Sequence, residues 1–161
     1  MLKILWIVIA CVAGSAVRAE PAPDFGLPSL LGDKTVRLSS LKGKVVYLDF
    51  WASWCAPCAV SLPEIATMYN KLNHTEFEVV AISLDESEVD AKKFINKINP
   101  PYSVLFDQEK QTPLSYSVTA MPTAFLIDKQ GQVRATYKGY KKGDKEKLFQ
   151  KIQQLLREPI E

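Results

Sequence analysis

The sequence predicts an α/β domain with a mixed central sheet flanked by helices. Three observations lead there. Short, near-continuous apolar runs alternate with segments whose apolar residues recur at helical spacing. A two-strand hairpin pattern and a last amphipathic segment close the chain. A length of 161 residues suits one such domain with a substantial core, with a short apolar leader in front of it. Alternating strands and helices, then a hairpin and a helix, are the pattern of helices packed on a mixed sheet.

The leader comes first. Met1-Leu2-Lys3 gives a basic start, residues 4–17 are mostly apolar with small residues towards their end, and Val17-Arg18-Ala19 offers acceptable residues for signal-peptidase cleavage before Glu20. Residues 1–19 therefore read as a signal peptide and residues 20–161 as the domain. The apolar run is short for a full membrane span, which disfavours an uncleaved anchor. Lipidation at Cys11 is a third reading, carried by Val8-Ile9-Ala10-Cys11.

The domain elements follow in order. Residues 20–30 carry Pro21, Pro23 and Pro28 and read as an extended lead-in. Residues 35–38 alternate as a short strand, and residues 39–44 form a loop containing Gly43. Residues 45–50 are a buried central strand. Residues 58–73 place Leu62, Ile65, Tyr69 and Leu72 on one helical face, with Pro63 inside the helix. Residues 77–84 are a second buried strand. Residues 88–98 set Ala91, Phe94, Ile95 and Ile98 at helical spacing, and Pro100-Pro101 stops them. A third strand covers residues 102–106, and a short helical turn residues 112–116. Strands at 124–127 and 132–137 are joined by Asp128-Lys129-Gln130-Gly131. A final helix covers residues 144–157, with Asp144 expected as its cap.

Charge and cysteine counts exclude several functions. The full chain holds 20 basic and 18 acidic residues, and Lys3 and Arg18 leave with the leader, so the domain is near neutral. That gives no case for nucleic-acid binding. The domain keeps only Cys55, Cys58 and the single histidine, His74, too few for a structural zinc site. No metal or other cofactor is expected. In an exported chain, disulfide chemistry is the natural use of two cysteines.

Cys55-Ala56-Pro57-Cys58 directly follows a strand and directly precedes a helix. Cys55 then sits at the positive end of the helix dipole, which favours its thiolate. Cys58 is one turn further on and can close a disulfide with it. Cys55 is expected to be the nucleophile and Cys58 the more buried, resolving thiol. Pro57 supplies no backbone N–H, which costs nothing at a helix start where N–H groups have no helical partner, and it holds the turn rigid. Asp49, in the middle of a buried strand, is expected to have a raised pKa and to exchange a proton with the resolving thiol. Trp54 could rim a binding surface and Trp51 pack beneath it, against the plainer reading that both are core. Asp85-Glu86 reads equally well as part of the site or as exposed turn acids. His74 and the lysine-rich stretch 138–147 read as solvated surface.

Leu48 to Cys58 resembles the active-site segment of thioredoxin. Pro63 matches the proline of its active-site helix, and Met121-Pro122-Thr123 resembles its cis-proline loop, which faces the disulfide. The exported start, the Pro-rich lead-in, residues 38–44 and the insertion around residues 85–110 resemble the TlpA/ResA-type exported subgroup. The resemblance implies a thioredoxin fold with an N-terminal extension and a central αβ insertion. It implies a thiol–disulfide oxidoreductase that reduces protein disulfides by cycling Cys55 and Cys58. Asp49 would be the proton-handling group, and Trp54, Ala56, Pro57, Met121 and Pro122 would bind substrate.

The implied partners are disulfide-bearing proteins and a membrane thiol electron donor of the DsbD type. The implied setting is the periplasm or another exported compartment, with membrane attachment only if the leader is retained, and the expected state is a monomer. The rival functions are a dithiol oxidant and a non-catalytic thioredoxin-like binding module. Many TlpA/ResA relatives carry an uncharged residue where this chain has Asp49. Cytochrome-maturation members often have Glu where it has Ala56. Peroxiredoxins need Thr three residues before the cysteine, where it has Ala52. Copper carriers of this fold use a Cys-x-x-x-Cys spacing that is absent here.

Overall fold

The computed structural model describes residues 20–141 and 143–160, so the leader and Cys11 lie outside the described residues. A six-stranded mixed sheet organises the chain. Its strands are β1 (Glu20–Pro21), β4 (Val45–Trp51), β5 (Phe77–Ser83), β6 (Ser103–Phe106), β7 (Thr123–Ile127) and β8 (Gln132–Lys138). The order is β1-β8-β7-β4-β5-β6. β4 runs parallel to β5 and antiparallel to β7, so it is paired on both sides. All seven of its residues are buried, which explains its near-continuous apolar sequence. The extended lead-in contributes β1 at the sheet edge. It also gives β2 (Gly26–Pro28), which pairs antiparallel with β3 (Thr35–Arg37) in a separate hairpin.

Strand alternation divides the core into two layers. Val45, Tyr47 and Trp51 face a cluster built with α1 (Ala56–Tyr69), α2 (Glu88–Ile98) and α4 (Asp144–Arg157). Val46, Leu48 and Phe50 face the opposite cluster, which contains Phe25, Leu38 and Tyr116. Tyr116 directly follows α3 (Gln111–Ser115), and it and Phe125 meet the Phe50 ring at 5.6 and 6.0 Å. The inserted pair α2–β6 thus widens the sheet on one edge and covers one face of it.

Helix ends follow local chemistry. Ser87 caps α2 by accepting from Asp90 N at 3.2 Å, and Glu88 and Asp90 meet the positive end of its dipole. The helix stops at Asn99, whose φ of 46° is left-handed and whose N–H reaches Ile95 O. α4 corrects one expectation. Asp144 is not its cap: Gly143, at φ 94°, occupies that position and makes no side-chain cap bond. Asp144 is already helical, and its carboxylate accepts instead from Lys141 N at 2.7 Å. The β7–β8 connection is the predicted turn. Asp128 Oδ1 accepts from Gln130 N and Gln132 N at 3.1 and 2.8 Å, and Gly131 supplies the left-handed φ of 85°.

Candidate active site

β4 delivers the chain into a tight loop, residues 52–55, at the end of the sheet. Cys55 N donates to Ala52 O at 3.1 Å, and Cys55 becomes the N-cap of α1. Its sulfur accepts from Cys58 N at 3.3 Å, and its carbonyl accepts from Cys58 N and Ala59 N. Ala56 is the first helical residue and Pro57 the second, where a missing N–H leaves nothing unsatisfied. No acidic residue lies in the first turn, so the helix dipole acts on the Cys55 sulfur without an opposing charge there. Cys55 and Cys58 are joined by a disulfide, with Cα atoms 5.3 Å apart. Cys58 is wholly buried and Cys55 is 5% exposed.

Cys55 opens onto a cleft of about 490 Å³. Trp54, Ala56 and Pro57 form one wall, and Leu84 with the segment 118–121 forms the other. None of these residues is charged. Trp54 is 70% exposed, so the core reading fails for it, whereas Trp51 is fully buried and stacks on Phe94 at 5.5 Å. The Met121–Pro122 bond is cis. Met121 lines the cleft, and Pro122 is buried behind it with its carbonyl bonded to Gly139 N. Leu84 and Val118 to Ala120 were not singled out in the sequence. The position of 118–120 just before Met121-Pro122 is the signal that could have found them. A larger hollow of about 550 Å³ lies between the β2–β3 hairpin and α3, away from the disulfide.

Asp49 sits on the layer that contains Cys58. Alternation along β4 places it between Tyr47 and Trp51, and pairing places it between Ala81 of β5 and Ala124 of β7. It is 1% exposed, and neither carboxylate oxygen has a hydrogen-bond partner among the described residues. Trp51 Nε1 is likewise unpartnered. Burial alone pushes the Asp49 pKa up to about 8. The same burial, with the nearby Asp49 charge, drives the Tyr47 hydroxyl well above its ordinary range.

Asp85 is neither exposed nor idle. It is 2% exposed and accepts from Ser53 N, Ser53 Oγ and Ser83 Oγ, so the turn-acid reading gives way for Asp85, whereas Glu86 is exposed as that reading expects. His74 is exposed and stacks on Tyr69 with ring centres 4.0 Å apart. Lys138, Lys141 and Lys147 are also exposed. The two cysteines and the Trp54–Met121 cleft thus meet at one end of the sheet, with Asp49 buried within β4 on the core layer that contains Cys58, and His74 does not join them. Among the described residues no group of His, Cys, Asp and Glu has the geometry of a metal site, and no helix is long and apolar enough to cross a membrane.

Known proteins resemble this chain in sequence and in fold. The thiol-disulfide oxidoreductase ResA of Bacillus thuringiensis (strain Al Hakam) is 38% identical over 114 residues, covering 71% of this chain. The chain spans 65% of that relative's length. A Chlorobium tepidum crystal structure described as a thiol:disulfide interchange protein DsbE is 46% identical, with a TM-score of 0.81. That match covers 86% of this chain and 96% of the other. The exposed lipoprotein thioredoxin of Streptococcus pneumoniae is 33% identical with a TM-score of 0.72, over 83% of this chain and all (100%) of that one. The model of the AhpC/TSA family matches residues 19–136, a span that contains the cysteine pair, Asp49 and the cleft. With a thioredoxin-like fold and ResA- and DsbE-type homologues, this chain belongs to the AhpC/TSA family.

Proposed function

We propose that the chain is a thiol–disulfide oxidoreductase that reduces disulfides in partner proteins outside the cytoplasm. One observation carries this: the Cys55–Cys58 disulfide caps α1 with Cys55 on an uncharged cleft and Cys58 buried behind it. In the reduced form, the Cys55 thiolate attacks one sulfur of a substrate disulfide. A mixed disulfide forms and the first substrate thiolate leaves. Asp49 takes the proton of the Cys58 thiol, and the new thiolate attacks the Cys55 sulfur. The second substrate thiolate leaves and is protonated. Two electrons have passed to the substrate, and Cys55–Cys58 is again a disulfide. A raised pKa suits Asp49 to this exchange, because the carboxyl can both take and return a proton near neutral pH. Trp54, Ala56, Pro57 and Met121 hold the substrate segment, with Pro122 shaping the cleft floor.

Export rests on the leader read in residues 1–19 and is supported by an exposed lipoprotein among the relatives. A reductase in an oxidising compartment must be recharged, so a membrane thiol donor of the DsbD type is part of the proposal. The cysteine variants test the division of labour. Cys58→Ala is expected to accumulate mixed disulfides with partner proteins, and Cys55→Ala none. The wild-type protein is expected to reduce insulin. Trapping by Cys55→Ala instead would reverse the roles, and no insulin reduction by the wild type would leave a binding module.

A further inference from the structure

The Asp85 carboxylate takes no part in the disulfide exchange, yet it is the most densely coordinated acid near the site. Ser53 N lies 3.1 and 3.0 Å from its two oxygens. Ser53 Oγ donates to it at 2.6 Å and Ser83 Oγ at 2.8 Å. Its backbone is held as well. Asp85 N donates to Ser83 Oγ at 3.2 Å, and Asp85 O accepts from Lys110 Nζ at 2.5 Å. Lys110 also donates to Asp107 O at 2.8 Å, which links the ends of β5 and β6. The charged groups around Lys110 are Asp107, Glu86 and Asp85 itself.

A buried carboxylate group needs donors for its oxygens; here Ser83 Oγ comes from the end of β5, and both Ser53 donors come from the loop that ends in Cys55. Ser53 is two residues before Cys55. Its N–H and hydroxyl both point to Asp85, so the loop is fixed at that point. Leu84 N donates to Trp51 O at 2.8 Å and fixes the strand end just before it. The next rigid point is Cys55 itself, whose sulfur meets Cys58 N at 3.3 Å. We infer that Asp85 is a positioning residue: through Ser53 it holds Cys55 where its sulfur meets the first turn of α1 and opens on the cleft. The inference rests on Cys55 being the attacking thiol.

The test is alkylation of the reduced protein with iodoacetamide across pH, with the Cys55 and Cys58 products resolved by peptide mass. In the wild type, faster labelling of Cys55 checks the attacking-thiol reading by itself. Asp85→Ala is expected to keep that selectivity but move the Cys55 profile to higher pH. Labelling below the midpoint then slows by about threefold or more, the size of a lost capping interaction. Asp85→Asn, which keeps an acceptor for Ser53 N, is expected to restore most of the wild-type profile. Ser53→Ala removes only the hydroxyl and should shift the profile the same way by less. It decides the matter if Asp85→Ala does not fold. Lower thermal stability with an unshifted profile would make Asp85 merely structural. A profile moved to lower pH would mean that its charge acts on Cys55, not its hydrogen bonds. Either result overturns the inference.

Discussion

At Asp49 the folded chain bears a desolvation cost that the proposed proton exchange would use. A carboxyl between two alanines on a central strand has no partner to offset desolvation, so it holds its proton up to about pH 8. In the unfolded chain the same group ionises near the ordinary value of 3.8. Between those values the folded form binds a proton that the unfolded form has released, so stability falls as pH rises and levels off above the higher value. Asp49→Asn is therefore expected to be more stable than the wild type above pH 8, by several kcal/mol and about 6 kcal/mol at most, and about equal near pH 4. Denaturant unfolding of the oxidised proteins at both pH values checks this. The same variant is expected to slow disulfide reduction near neutral pH, and unchanged rates across about pH 6–9 would remove Asp49 from the mechanism. Asp49 and the cysteine pair were legible because a charge inside an apolar run, and two cysteines between a strand and a helix, are local signals. Asp85 was not. Its donors Ser53 and Ser83 come from the ends of two strands that only pairing brings together.

Helices and strands show where local rules decide and where they yield. α2 keeps every start and stop signal in its own sequence, from Ser87 to Asn99 and Pro100, and its observed bounds, Glu88–Ile98, coincide with the predicted ones. Ser87→Ala should cost about 1 kcal/mol through the lost cap, seen as a lower denaturant midpoint at unchanged slope. An unchanged midpoint would mean that α2 is held by packing alone. At α4 the rule yielded, because a glycine in a left-handed conformation took the cap position ahead of Asp144. The β7–β8 turn depends on a similar residue. Gly131 at φ 85° should not accept a side chain, and Gly131→Ala is expected to lose about 1–2 kcal/mol. β3 lies within the strand predicted at residues 35–38, but the two- and three-residue strands β1 and β2 were the least legible elements. Their lead-in holds three prolines, so its extended form could be read but its partners could not. Those partners, β8 for β1 and β3 for β2, are set by the tertiary fold.

For the whole molecule, the mixed sheet matters because it brings β4, the 118–121 segment and the start of α1 to one end. The central order could be anticipated from strand–helix alternation, since a parallel neighbour needs a crossover and a hairpin does not. The two-layer core fixes this geometry. Phe50, wholly buried against Tyr116 and Phe125, is a point where that core can be probed. Phe50→Ala should destabilise by about 3–5 kcal/mol while leaving Cys55 the faster-labelled thiol in whatever fraction folds. The direction of electron flow is also a property of the whole protein. Ala56-Pro57 puts no histidine beside Cys55 to stabilise its thiolate further, and a less stabilised reduced form lowers the potential. Equilibration of the Cys55–Cys58 pair against glutathione redox buffers measures this directly. A reductase of this kind is expected at roughly −270 to −200 mV, and a value near about −120 mV would make the protein an oxidant and contradict the proposed function.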